Sequence, residues 1–266
     1  MPDTTDRQPD AGGSSAGKHP IGTHGAASPP SGQPQGQPHA ATQSLEKQAN
    51  HRAPRFVILI SGTGSNMQAI VNACLSGDCS ATIAAVISNK AQAEGLIWAA
   101  SAGIATAVVP HRSFATREAF DQALAEEIDR YQPDYVLLAG FMRVLTSAFV
   151  HKFAGKLINI HPSLLPAFPG LHTHAQAIAT GVQAHGCTVH FVTPVLDHGP
   201  VIAQGVVPVL SDDTPESLAA RVLQVEHVIY PQVATWLAEG RVTLLADQRV
   251  EVQGVNSRLF SVETNQ

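Results

Sequence analysis

Asn159 and His161 stand two residues apart in the run Leu157-Ile158-Asn159-Ile160-His161, immediately before Pro162. Side chains alternate along an extended chain, so an amide and an imidazole share one face while Ile158 and Ile160 share the other. Pro162 has no N–H to give a ladder and ends the strand there. Such a pair at the carboxyl end of a strand suits an oxyanion, because both groups can donate to a carbonyl oxygen as it gains charge; the alternative is a hydrogen-bonded, partly buried pair with a structural role. The turn Leu196-Asp197-His198-Gly199-Pro200 carries one acid. If it folds over that strand, Asp197 can pair with His161; the alternative is an ordinary turn aspartate bonded to its own backbone.

A second constellation is the turn Gly62-Thr63-Gly64-Ser65-Asn66, between an apolar run and a helical pattern. The third glycine of a dinucleotide fingerprint would fall at Met67, and the next strand ends in Ser88-Asn89-Lys90 rather than in an acid for a ribose hydroxyl. A P-loop fails as well, since Asn66 and Met67 stand where Lys and Ser/Thr belong. What remains is a helix N-terminus with free N–H groups at Gly64, Ser65 and Asn66, a cradle for one phosphate; the alternative is a tight turn with an ordinary cap. Glu226 emerges among Val222, Leu223, Ile229 and Tyr230 at helical spacing, where a carboxylate wants a cationic partner, a ligand or a solvated edge. His172-Thr173-His174 resembles the HxH pair of metal hydrolases, but those sites draw further ligands from a closed barrel, which this chain lacks the units to build; no metal is expected. Cys187 reads as a small core thiol and Ser163 as a turn residue.

Positioning these groups requires strands separated by helices. Apolar runs at 56–60, 83–87, 105–109, 135–139 and 156–161 predict strands, and helical periodicity predicts helices over 67–74, 91–102, 114–131 and 146–153. The spacing implies right-handed crossovers in an open, doubly wound, mostly parallel α/β sheet covered on both faces. After 161 the rhythm changes. Strands at 188–193 and 201–207 are joined by a link too short for a helical crossover and so form an antiparallel pair. A last long helix starts at Thr214-Pro215-Glu216 and reaches Trp236, with a kink expected at Pro231.

The chain has 266 residues, 44% hydrophobic and 14% charged, with 16 Lys and Arg against 21 Asp and Glu. That length supports one or two domains, and the negative balance argues against a nucleic-acid binder. Residues 1–53 hold seven Gly, seven Pro and six Gln and lack Val, Phe, Trp and Tyr, so they read as a disordered tail. No apolar stretch is long enough for a membrane span or a signal peptide, and three cysteines at no metal spacing fit a reduced cytoplasmic setting.

Four segments together carry a likeness to a known family: Ile60-Ser61-Gly62-Thr63-Gly64-Ser65-Asn66, Ala139-Gly140-Phe141-Met142-Arg143, Asn159-Ile160-His161-Pro162-Ser163-Leu164-Leu165-Pro166, and Leu196-Asp197-His198-Gly199-Pro200. They resemble the phosphoribosylglycinamide formyltransferases of the folate formyltransferase superfamily, over about residues 54–245. The resemblance implies a Rossmann-like formyltransferase fold and formyl transfer from 10-formyltetrahydrofolate to the amine of 5-phosphoribosylglycinamide in purine (IMP) biosynthesis. It implies Asn159, His161 and Asp197 as the catalytic three, and Gly64, Ser65, Asn66 and Glu226 as the ribonucleotide's site. Arg117, Met142, Arg143, Val144, Leu145 and Asn159 would meet the folate. The partners are then two small molecules, with no metal, nucleic acid or membrane, and the protein is a monomer or homodimer. Residues 246–266 are a C-terminal extension to which the resemblance assigns no role. The alternatives are formyltetrahydrofolate hydrolase, which normally carries an additional N-terminal domain, and a non-catalytic nucleotide-binding module, which would leave Asn159, His161 and Asp197 without a task. Methionyl-tRNA formyltransferase would need a further basic C-terminal domain.

Overall fold

The computed structural model describes residues 52–261. The tail expectation for 1–53 therefore lies outside the described residues, except at Arg52 and Ala53. Arg52 already belongs to the fold, its guanidinium donating twice to the Asp134 carboxylate at 3.1 and 3.2 Å.

Among the described residues ten strands and six α-helices follow in order: β1 (Arg55–Ile60), α1 (Ser65–Ser76), β2 (Thr82–Ser88), α2 (Glu94–Ser101), β3 (Thr106–Val108), α3 (Arg117–Asp129), β4 (Tyr135–Leu138), α4 (Ser147–Lys152), β5 (Leu157–His161), α5 (Thr173–Thr180), β6 (Ala184–Phe191), β7 (Val201–Pro208), α6 (Pro215–Ala238), β8 (Val242–Leu244), β9 (Val250–Val252) and β10 (Leu259–Ser261). The main sheet has the order β10-β7-β6-β5-β4-β1-β2-β3. It is parallel from β3 through β5, antiparallel across β5–β6 and β6–β7, and parallel again where β10 joins β7. The expected class and the antiparallel pair are both present.

β1 sits at the centre and is buried on both sides. Phe56, Ile58 and Ile60 face a core shared with α1, α2 and α6, while Val57 and Leu59 face a second core under α3 and α4. This is the continuous apolar run that a parallel strand covered on both faces requires. The order of β1, β2, β4 and β5 brings the carboxyl ends of these parallel strands to one edge, where open α/β sheets bind ligands.

Boundaries moved where capping overrode periodicity. The expected 114–131 helix begins at Arg117, where Thr116 Oγ1 accepts from the Ala119 N–H, and a separate short 3-10 turn spans 111–113. The 91–102 helix begins at Glu94. The expected strand at 188–193 lies earlier, at Ala184–Phe191, drawn there by the pairing of its first seven residues with β7. α5 was not foreseen. α6 continues past Pro231 to Ala238, its last turns carried by buried Val233, Ala234, Trp236 and Leu237.

Residues after 245 have a structural role. β9 pairs with β8, so a boundary at 245 cuts a hairpin, and Val250 and Val252 are buried. β10 extends the main sheet, the Arg258 guanidinium donates to the Val201 and Ile202 carbonyls at 3.0 and 2.9 Å, and Phe260 packs 5.9 Å from Trp236. Ending the chain after Leu245 uncovers the β7 edge and these apolar contacts. It is expected to lower the unfolding free energy by about 3 kcal/mol, measurable by chemical denaturation.

Candidate active site

Gly64 takes a left-handed conformation (φ 70) and forms the N-cap of α1 without a side-chain cap, so the first amides of that helix point outward unclaimed by any side chain. Beneath them, Asn66 Nδ2 donates to Glu226 Oε2 on α6. Glu226 is 7% exposed, and burial raises its carboxyl from 4.5 to about 7 against the opposing effect of the Asn66 hydrogen bond. Asn66 Oδ1 is buried and has no partner among the described residues, an acceptor in reserve beside the acid. One turn further along α6, the buried Tyr230 hydroxyl lies 3.0 Å from the Leu138 carbonyl and 3.3 Å from that of Ile158. α6 thus ties the cradle to the carboxyl end of β4 and the first residues of β5.

Asn159 and His161 do share a face at the end of β5. The β5–β6 register opposes Asn159 to His190 and His161 to Thr188. His190 is buried, and burial holds its pKa below the usual imidazole value, so the ring is neutral near pH 7. Its Nδ1 lies 2.9 Å from the Phe191 carbonyl, which only accepts, so the proton belongs on Nδ1. Nε2 is then an acceptor, 3.2 Å from Asn159 Nδ2. This chain sets which way the Asn159 amide points and leaves its second N–H free. Thr188 Oγ1 holds the backbone that leaves β5, donating to the Ser163 carbonyl and accepting from Leu165 N–H.

Asp197 does reach His161. Its Oδ2 lies 3.5 Å from His161 Nδ1, an ion-pair distance without a hydrogen bond, while accepting from Gly170 N–H at 2.8 Å. His161 Nε2 is 3.0 Å from the Phe168 carbonyl. Both ring nitrogens therefore face acceptors supplied by loops. The loop bearing Asp197 presses on β6 so closely that a Cβ on Gly199 would stand 1.6 Å from the Phe191 oxygen and 3.3 Å from His190 Nδ1. Glycine is required there for the approach. Asp197 itself adopts φ 53, a left-handed conformation that aspartate tolerates better than most residues.

Arg117 is the exposed first residue of α3, and Met142–Leu145 lie in the irregular link from β4 to α4, with Met142 and Val144 exposed. Met142 N–H donates to Ser61 Oγ at 2.8 Å, joining this segment to the residue that begins the glycine turn. The structure brings together Asn159, His161 and Asp197 as one group, and Gly64, Ser65, Asn66 and Glu226 as another. Cys187 is a fully buried core thiol whose pKa burial drives upward, and His174 Nδ1 meets His185 Nε2 at 3.2 Å. Sequence reasoning missed His190, Ser61 and Thr188. The alternation Thr188-Val189-His190 was the one available signal for two of them.

A formyl transferase family model matches residues 54–234. This chain belongs to that family. Phosphoribosylglycinamide formyltransferase of Escherichia coli (strain K12) is 53% identical over 205 residues, covering 75% of this chain and 97% of its own. Among solved structures, phosphoribosylglycinamide formyltransferase from Coxiella burnetii, in complex with CHES, is 45% identical with a TM-score of 0.74, covering 79% of this chain and 100% of that one. A formyltetrahydrofolate deformylase from Burkholderia mallei is 30% identical with a TM-score of 0.68, covering 76% of this chain and 70% of the other. The family fold is the architecture seen here, and the family model ends within α6.

The buried acid at the cradle gives a signed pH dependence. A carboxyl raised from 4.5 to about 7 in the fold stabilises the unliganded protein below the unfolded value, and that contribution is lost as pH rises through the folded value. The stability of the native protein relative to Glu226→Gln should therefore fall between about pH 4.5 and 8, by up to about 3 kcal/mol. Paired denaturation curves across that range measure it, and a flat difference would show that Glu226 is not held in a desolvated site.

Proposed function

We propose that this formyl transferase moves the formyl group of 10-formyltetrahydrofolate to the amine of 5-phosphoribosylglycinamide, yielding N-formylglycinamide ribonucleotide and tetrahydrofolate in purine biosynthesis. The carrying observation is Glu226: a buried carboxyl, hydrogen-bonded to Asn66 directly under an uncapped helix N-terminus. A ligand with a phosphate at one end and an amine at the other satisfies both, the phosphate on the Gly64-Ser65-Asn66 amides and the amine on Glu226. Transfer to water would need no such acid.

The chemistry follows from the groups at the end of β5. The unprotonated amine attacks the formyl carbon and a tetrahedral oxyanion forms. The Asn159 N–H left free by His190 donates to it, and a His161 N–H joins once the ring gives up the Phe168 carbonyl that Nε2 meets in this structure. Asp197 faces the His161 ring and supports charge that builds there. The proton leaving the amine reaches N10 of the departing folate by way of His161 or a water beside Asp197. Arg117 and Met142, Arg143, Val144 and Leu145 receive the folate, and adjoining sites for the two substrates supply much of the rate. Both substrates are small molecules; the reading includes no metal, nucleic acid or membrane, a cytoplasmic setting, and a monomer or homodimer.

Incubation with 10-formyltetrahydrofolate, with and without the ribonucleotide, tests this directly. Tetrahydrofolate should form only when both are present; formate released without the ribonucleotide would favour the deformylase reaction. In the same assay Asp197→Asn should lower turnover about 10²–10³-fold, as loss of an oxyanion-site group does, with both substrate affinities near those of the native protein. Equal losses in affinity and turnover would make Asp197 a support of the loop alone.

A further inference from the structure

The link from Gly140 to Thr146 has no regular secondary structure, so side-chain anchors set its shape in place of a ladder. Two buried side chains hold it. Ser61 Oγ accepts from Met142 N–H at 2.8 Å, and Asp121 Oδ2 on α3 accepts from Thr146 N–H at 2.6 Å. Arg117, Phe120 and Asp121 fall at i, i+3 and i+4 of α3 and share one side of it. Phe120 lies under the Arg143 guanidinium, 5.9 Å from the ring centre. α3 therefore grips the link at Arg143 and Thr146, while the side chains of Met142 and Val144 stay 61% and 50% exposed.

Asp121 is an expensive choice for that position. It is 3% exposed on a side of α3 whose other buried members, Phe120, Leu124, Ala125 and Ile128, are apolar. A buried carboxyl costs desolvation unless its hydrogen bonds compensate, and one oxygen here, Oδ1, has no partner among the described residues. The other is spent on a backbone N–H of the link. A side chain chosen only for packing would be apolar.

We propose that Asp121 is a positioning residue for the formyl donor. By fixing Thr146 N–H it holds Met142–Leu145 in the form that receives the folate, without touching the reacting atoms. This rests on the reading of that segment as the folate side of the site. Ser61 is a poorer probe, since it adjoins the glycine turn and would disturb both substrates.

The test compares Asp121→Ala, which removes the acceptor, with Asp121→Asn, which keeps an oxygen in place. A third variant, Thr146→Pro, deletes the same N–H from the other side, at a backbone φ of −71 that proline matches. For each, calorimetry gives the Kd for tetrahydrofolate and for the ribonucleotide, steady-state kinetics give KM and kcat, and thermal melting reports the fold. Asp121→Ala and Thr146→Pro should each raise the tetrahydrofolate Kd and the KM for 10-formyltetrahydrofolate about tenfold, the scale of one lost buried hydrogen bond, and leave the ribonucleotide Kd unchanged. Asp121→Asn should recover most of the loss. Equal weakening of both ligands, a lowered Tm with both affinities intact, or an Asn variant as weak as Ala would overturn the proposal. If the native protein bound the ribonucleotide but not tetrahydrofolate, the folate reading would fall, and the role of Asp121 with it.

Discussion

The antiparallel register of β5 against β6 opposes Asn159 to His190 and His161 to Thr188, and the site hangs from those two pairings. A shift by one residue would turn Asn159 and His161 into the opposite core and bring Ile158 and Ile160 to the ligand edge. In the register found, a neutral histidine aims the amide and a threonine hydroxyl holds the backbone beyond Pro162. The return loop after β6 must then lie close on the strand for Asp197 to face His161, which is why position 199 has no room for a Cβ. One pairing decision thus sets an amide's orientation, a loop's path and an acid's placement.

The polar groups buried around this edge are incompletely satisfied in a telling way. Of five buried side-chain nitrogen and oxygen atoms without a partner among the described residues, three are Asn66 Oδ1, Asp121 Oδ1 and Arg143 Nε. Each belongs to a side chain that already makes one structural contact: Asn66 with Glu226, Asp121 with Thr146, Arg143 with Phe120. Unpaired buried polar atoms are uncommon because each costs free energy. Asn66 opens the helix that follows β1, and Asp121 and Arg143 both lie against the link that follows β4. The apolar ladders of β1, β4 and β5 stabilise the framework that carries that cost.

Much of this was legible residue by residue. Alternation in Asn159-Ile160-His161 put the pair on one face, Pro162 ended the strand, and Gly64 before a polar-to-apolar helical pattern marked an open N-terminus. Those features depend on contacts within a few residues, where backbone sterics and side-chain periodicity decide the outcome. Helix starts were less secure because a single capping hydroxyl, as at Thr116, outweighs a periodic signal.

What tertiary structure alone decided are the contacts between residues far apart in the chain. No spacing could announce that His190 would stand opposite Asn159, that Asp121 would reach Thr146, or that Asn66 would donate to an acid 160 residues away. Asp197 was visible as a turn acid, yet its 3.5 Å approach to His161 belongs to the loop's closure on β6. The strand at Leu259–Ser261 is short and weakly patterned, and it forms only because β7 offers an unpaired edge. Chain-local sterics wrote the elements and the chemistry they could carry; burial and long-range pairing, which sum over the whole fold, chose which of those groups meet.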